Sequence, residues 1–155
     1  MNNIGPISEQ SPATLFQHLY RTLNRDTLSI DMLGRFYHHD ITFIDPYHNF
    51  TGLEEVHRYF DGLYANVEDI QFEFHNTWSN TDKDGNLSLV INWTMIYQHP
   101  KIAAGRPVTV DGLSELNYSG LYIVRQRDYF DTSQALFEHL PLLGSAIRFL
   151  KRRMS

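Results

Sequence analysis

The dominant hydrophobic period of this chain switches near residue 69, and that change constrains the fold more than any single residue. Up to about residue 66, apolar side chains recur at helical spacing. Leu15, Phe16, Leu19, Tyr20 and Leu23 form one stripe. Leu28, Met32, Leu33 and Phe36 form a second, and Leu53, Val56, Tyr59, Phe60 and Leu63 a third. From Asp69 onward the period is two. Ile70, Phe72, Phe74, Asn76 and Trp78 share one face, as do Leu87, Leu89, Ile91, Trp93, Met95 and Tyr97. "VTVDGLSELNY" and "LYIVRQRDYFD" read as two more strands joined at Ser119-Gly120, and a helical segment starts near Ser133, interrupted by "PLLG". Helices followed by successive strands imply an α+β fold. The expectation is one domain over residues 1–155, with a core of about 12–140 and a basic helical tail of about 141–155. Its architecture is a cone-shaped barrel: a strongly bent antiparallel sheet with the N-terminal helices packed across its open face.

Local signals mark the boundaries. Ser11 is placed to cap the first helix, and Pro12 fits its first turn, where a missing N–H costs nothing. The second helix is expected from about Asp26 to Tyr37. In "ITFIDPYHNFTG" a short strand puts Ile41, Phe43 and Asp45 on one face before Pro46 stops it. Asp84-Gly85 is the strongest turn signal between the two long strands.

Charge and composition narrow the partners. The net charge of −5 argues against nucleic acid. There is no cysteine, hence no disulfide, thiol nucleophile or Cys-ligated metal. The N-terminus "MNNIGPISEQ" has no basic region leading into an apolar run, so a cytoplasmic location is expected. Arg148, Lys151, Arg152 and Arg153 crowd the last eight residues, whereas the remainder carries nine basic and eighteen acidic residues. Such a tail suits a partner or membrane surface, or cations matched to a helix dipole. The outward row Ser88, Val90, Asn92, Thr94, Ile96 and Gln98 is mixed enough to pack on a second copy, so a homodimer is expected.

The candidate chemistry lies inside the cone. Asp45 ends a strand whose inward face is otherwise apolar; it either caps the following turn by accepting backbone N–H groups or serves as a base at the rim of the cavity. Asp128 shares its face with Tyr122, Val124, Gln126 and Phe130, where a carboxylate is costly unless paired. Both are expected to open onto one cavity lined by Trp93, Val110, Leu116, Tyr122 and Val124, with Met95 and Tyr97 as further wall. Gln126 would orient a ligand or Asp128. His48 beside Asp45 is an exposed loop histidine or an acid–base group near neutral pH. The eight histidines form no HxH or HxxxH pair with a nearby acid, and His38 and His39 are expected to point apart. Neither metal nor cofactor is expected, and no phosphate loop or nucleophile elbow is present.

Three segments in order carry a family resemblance: "FIDPYHNFTGLEEVHRYF", "VDGLSELNYSG" and "RQRDYFD". Together they resemble the SnoaL-like branch of the nuclear transport factor 2-like superfamily, whose relatives include ketosteroid isomerases, limonene-epoxide hydrolases and polyketide cyclases. The resemblance implies a general-base role for Asp45 and an acid–base role for Asp128. It sets Ser114 where the isomerases carry an acidic donor, and Leu19 where they carry a tyrosine, with Tyr20 expected to face elsewhere. It implies a cofactor-independent isomerase, cyclase or hydratase acting on a small, largely apolar metabolite. The alternative is a non-catalytic small-molecule-binding or interaction module of the same fold.

Overall fold

A computed structural model describes residues 11–67, 69–135 and 141–154. Helix α1, Pro12–Thr22, starts at Ser11, whose hydroxyl accepts a hydrogen bond from the Thr14 N–H at 3.2 Å. It buries Phe16, Leu19 and Tyr20. Helix α2 is only Ile30–Leu33, far shorter than its apolar spacing suggests. Side-chain bonds win over helix in the preceding residues: Asn24 Oδ1 accepts from the N–H groups of Asp26 and Thr27 at 2.8 and 3.1 Å. Helix α3, Leu53–Asn66, buries Val56, Phe60 and Tyr64. It begins after Gly52, whose φ of 98° is open to glycine at no steric cost.

Six strands form one curled sheet: β1 (Tyr37–Ile44), β2 (Asn49–Thr51), β3 (Asp69–Thr81), β4 (Leu87–Gln98), β5 (Val108–Ser119) and β6 (Tyr122–Phe130). Their order is β2-β1-β6-β5-β4-β3. All pairs are antiparallel except β1 with β6, which run parallel and bring the Asp45 end of β1 alongside the Asp128 end of β6. The helices pack on the inner face, with α1 against β3 and α3 against β1. The main core lies between these layers around Leu19, Leu33, Ile41, Val56, Ile91 and Leu116.

Two bulges overturn the simple alternation. In β3 the register shifts between Phe74 and Thr77, so Trp78 falls opposite Val90 and is 55% exposed rather than inward. In β6, Ile123 pairs with Tyr118 and Arg125 with Asn117, leaving Val124 as the extra residue. Such a bulge reverses which residues face inward. Ile123 is buried in place of its neighbours, Tyr122 is 44% exposed, and Val124 is only half-buried. Neither Tyr122 nor Val124 lines the cavity. An irregularity between Tyr37 and Thr42 also brings the rings of His38 and His39 to 4.1 Å from one another, where they were expected to diverge.

Helix α4, Thr132–Ala135, packs on β5, and α5, Pro141–Met154, includes the "PLLG" that was expected to interrupt it. Pro141 stands at the helix start, where proline is tolerated. The expected helical continuation through 136–140, like the N-terminal stretch 1–10, lies outside the described residues.

Candidate active site

A cavity of about 280 Å³ opens between α1, α3 and the concave face of the sheet. Its walls are aromatic, among them Phe16, Phe43, Phe60, Phe72 and Trp93, and no lysine or arginine among the described residues lines it. Asp45 and Asp128 both do, together with Trp93, Met95, Tyr97 and Ser114. Val110 and Leu116 are fully buried behind the wall and do not reach the cavity surface. Gln126 is likewise fully buried and acts from behind.

Asp128 sits at the polar end of this apolar space. Ser114 Oγ donates to its Oδ1 at 2.6 Å, and Gln126 Nε2 lies 3.0 and 3.1 Å from its two oxygens. The residue is partly exposed, but its carboxyl is desolvated by the surrounding rings, which pushes its pKa up to about 7. The donors from Ser114 and Gln126 oppose that rise and do not cancel it. Ser114 cannot also serve a ligand as donor, since its one proton is committed to Asp128 while its oxygen accepts from Trp93 Nε1 at 3.0 Å.

Behind Asp128 lies a buried tyrosine pair. Tyr37 donates to Gln126 Oε1 at 2.8 Å, and Gln126 Nε2 donates to the Tyr20 hydroxyl at 2.8 Å. The two hydroxyls are 3.3 Å apart. Tyr37 has spent its only proton on Gln126, so the Tyr20 proton either points at Tyr37 or turns into the cavity, which Tyr20 lines. Burial holds both phenols well above their ordinary pKa, so both stay protonated donors. Tyr20 therefore faces the site, contrary to expectation. An α1 laid across the cone's mouth buries a stripe wide enough for adjacent residues Leu19 and Tyr20.

Asp45 is buried in a different way. Its Oδ1 accepts from the N–H groups of Tyr47 and His48, both at 2.7 Å, which closes the turn after β1. Its Oδ2 accepts from the Tyr59 hydroxyl at 2.8 Å. His48 Nδ1 lies 3.1 and 3.2 Å from the two oxygens. The imidazole is stacked on Phe50 at 5.3 Å and lines the cavity, and among the described residues nothing bonds its Nε2. Tyr20 and Tyr59 were read from the sequence as members of apolar stripes, and Tyr37 only as the end of the second helix. The signal that could have marked them is that a buried phenol needs a hydroxyl partner.

The family model for the SnoaL-like domain matches residues 16–125. No curated protein matches in sequence. Among solved structures, a hypothetical protein of ketosteroid isomerase-like fold from Catenulispora acidiphila, in complex with trimethylamine, shares 17% identity. The match covers 83% of this chain and 91% of that one, at a TM-score of 0.65. A nuclear transport factor 2-like protein of unknown function from Burkholderia pseudomallei shares 13% identity over 81% and 95% of the two chains, at 0.66. A proposed polyketide cyclase from Xanthomonas campestris shares 12% over 81% and 93%, at 0.62. Identities this low establish a common fold.

Proposed function

The chain belongs to the SnoaL-like domain family, and on that premise we propose that it is a cofactor-independent acid–base enzyme that isomerises, cyclises or hydrates a small, largely apolar metabolite. One observation carries the reading: a desolvated carboxyl with a pKa pushed to about 7 faces an otherwise largely aromatic cavity. Near neutral pH both of its protonation states are populated, so it can give a proton in one step and take it back in the next. Ser114 bonds Oδ1, whereas Oδ2 shares only the longer contact from Gln126, so Oδ2 is the oxygen that exchanges the proton. Gln126 and Ser114 fix the carboxyl's orientation. The lone pairs of Asp45 are taken up by its four donors, so Asp45 contributes by holding His48 with Nε2 toward the ligand as the second proton-transfer group. The cavity size, at the low end of small-molecule sites, and the lack of lysine or arginine among its described lining residues favour a small uncharged ligand. A cytoplasmic location is part of this reading.

Deuterium exchange into the carbon next to the carbonyl of β-tetralone, followed by NMR in D2O, tests the chemistry without knowledge of the substrate. The expected result is exchange faster than in buffer, rising through an inflection near pH 7 and lowered at least about a hundredfold in Asp128→Asn. If the ketone occupies the pocket, shown by shifts of the Trp93 and Phe72 signals, and exchanges no faster than in buffer, the protein is a binding module.

The outer face of the sheet supports a homodimer as part of the same proposal. Trp78 and Val90 pair across strands there, with Tyr129 40% exposed on β6. An exposed tryptophan beside a valine on an open sheet favours a covered face. Light scattering at micromolar concentration is expected to give twice the 18.1 kDa chain mass, and Trp78→Glu to give the monomer. A wild-type monomer would refute this.

A further inference from the structure

We propose that α5 is a membrane-surface helix that lies along the headgroup boundary of a bilayer containing anionic lipid. Phe149, Leu150 and Met154 are 51%, 57% and 87% exposed, which is unusual for three large apolar side chains within one short helix. In sequence, Leu143, Ile147, Leu150 and Met154 recur at helical spacing, so the helix is amphipathic. Arg152 and Arg153 are exposed among these groups, and the Arg153 guanidinium lies 5.4 Å from the centre of the Phe149 ring. From Pro141 to Met154 there is no acidic residue. Apolar groups flanked by cations are the pattern of a helix that sinks one side into acyl chains and leaves its charges among the headgroups.

Length and charge choose this occupant over others. Fourteen helical residues span about 21 Å, well short of a bilayer core. Among the described residues no helix is long and apolar enough to cross a membrane. Two copies of α5 packed on each other would bring eight cations together without an acid from either helix. A nucleic acid would answer the cations but leave Phe149, Leu150 and Met154 in water. The remainder of the chain, with eighteen acidic residues against nine basic, would be held off an anionic surface, so binding through the tail leaves the body above the membrane.

Co-sedimentation of the full chain with lipid vesicles tests the proposal. The protein should pellet with vesicles of phosphatidylcholine plus phosphatidylglycerol, not with phosphatidylcholine alone, and high salt should release it. Leu150→Glu and the double change Arg152→Glu/Arg153→Glu should each lower the bound fraction at least about tenfold, while thermal melts match wild type because these side chains are exposed. Failure of wild type to pellet with the mixed vesicles overturns the proposal. So does equal pelleting with both vesicle types, or undiminished pelleting of either variant. If wild type ignores vesicles but binds duplex DNA, or if Leu150→Glu alone breaks a self-association seen by light scattering, the surface belongs to a nucleic acid or to a second copy instead.

Discussion

Asp128→Asn is expected to melt several degrees above wild type at pH 8 and level with it near pH 4. The argument rests on where the proton goes. In the unfolded chain an aspartate titrates near its model value of about 3.9. In the fold, desolvation raises the Asp128 carboxyl to about 7. Below pH 4 both states hold the proton and the residue contributes nothing to the difference. Between these values the folded form keeps a proton that the unfolded form has released. Stability therefore falls as pH rises, by about 1.4 kcal/mol per pH unit, and levels off above the folded pKa. The full window amounts to an upper bound on the order of 4 kcal/mol, reduced where cavity water reaches the carboxyl. Asparagine keeps the shape and one acceptor for Ser114 and Gln126, carries no charge and escapes this cost. At about 2–4 °C per kcal/mol for a domain of this size, the gap at pH 8 is readily measured. A lower melting temperature for the variant at pH 8, with the gap closing in acid, would mean that the fold needs the ionised carboxylate. Asp128 would then be a structural anion rather than a proton shuttle.

The two carboxylates were legible because inward parity along a strand is a strong signal wherever one face of a sheet is buried. Ile41 and Phe43 fix the parity of Asp45, and the nearby Gln126 and Phe130 fix that of Asp128 without crossing an irregularity. Tyr122 and Val124 failed because the same count runs across the bulge at Val124, and one added residue leaves no mark in composition. Trp78 failed at the β3 bulge for the same reason. The order of helices and strands followed from the change of period, but the parallel pairing of β1 with β6 is a long-range contact that local patterns do not encode. The polar layer behind Asp128 was hidden differently. Tyr20 and Tyr37 contribute rings to the apolar core and hydroxyls to the network, and hydropathy registers only the rings.

Gly112→Ala is expected to lower the melting temperature by roughly ten degrees, although the replacement is only one methyl group. Gly112 pairs with Trp93 across β5 and β4, in the interior of a strand, where glycine often marks a close approach. A Cβ at this position would lie 2.3, 2.6 and 2.7 Å from three carbons of the Trp93 six-membered ring. That ring can retreat only toward the cavity. It is 5% exposed, stands edge-on to Phe72 at 5.6 Å and contacts Phe130 at 6.4 Å, while its N–H is held by Ser114. Accommodating the methyl means moving the indole into the cavity or breaking the Ser114 bond. Overpacking costs about 1–3 kcal/mol. Stranding the buried N–H adds about 1–3 kcal/mol more. Their sum, at about 2–4 °C per kcal/mol, gives the expected drop. The second change Trp93→Phe removes the overlapping ring, so in the Gly112→Ala background it should recover part of the lost stability while costing stability on its own. A melt of Gly112→Ala within two or three degrees of wild type would show that the indole moves aside freely. In that case Trp93 could not hold Ser114, and through it Asp128, in a fixed position.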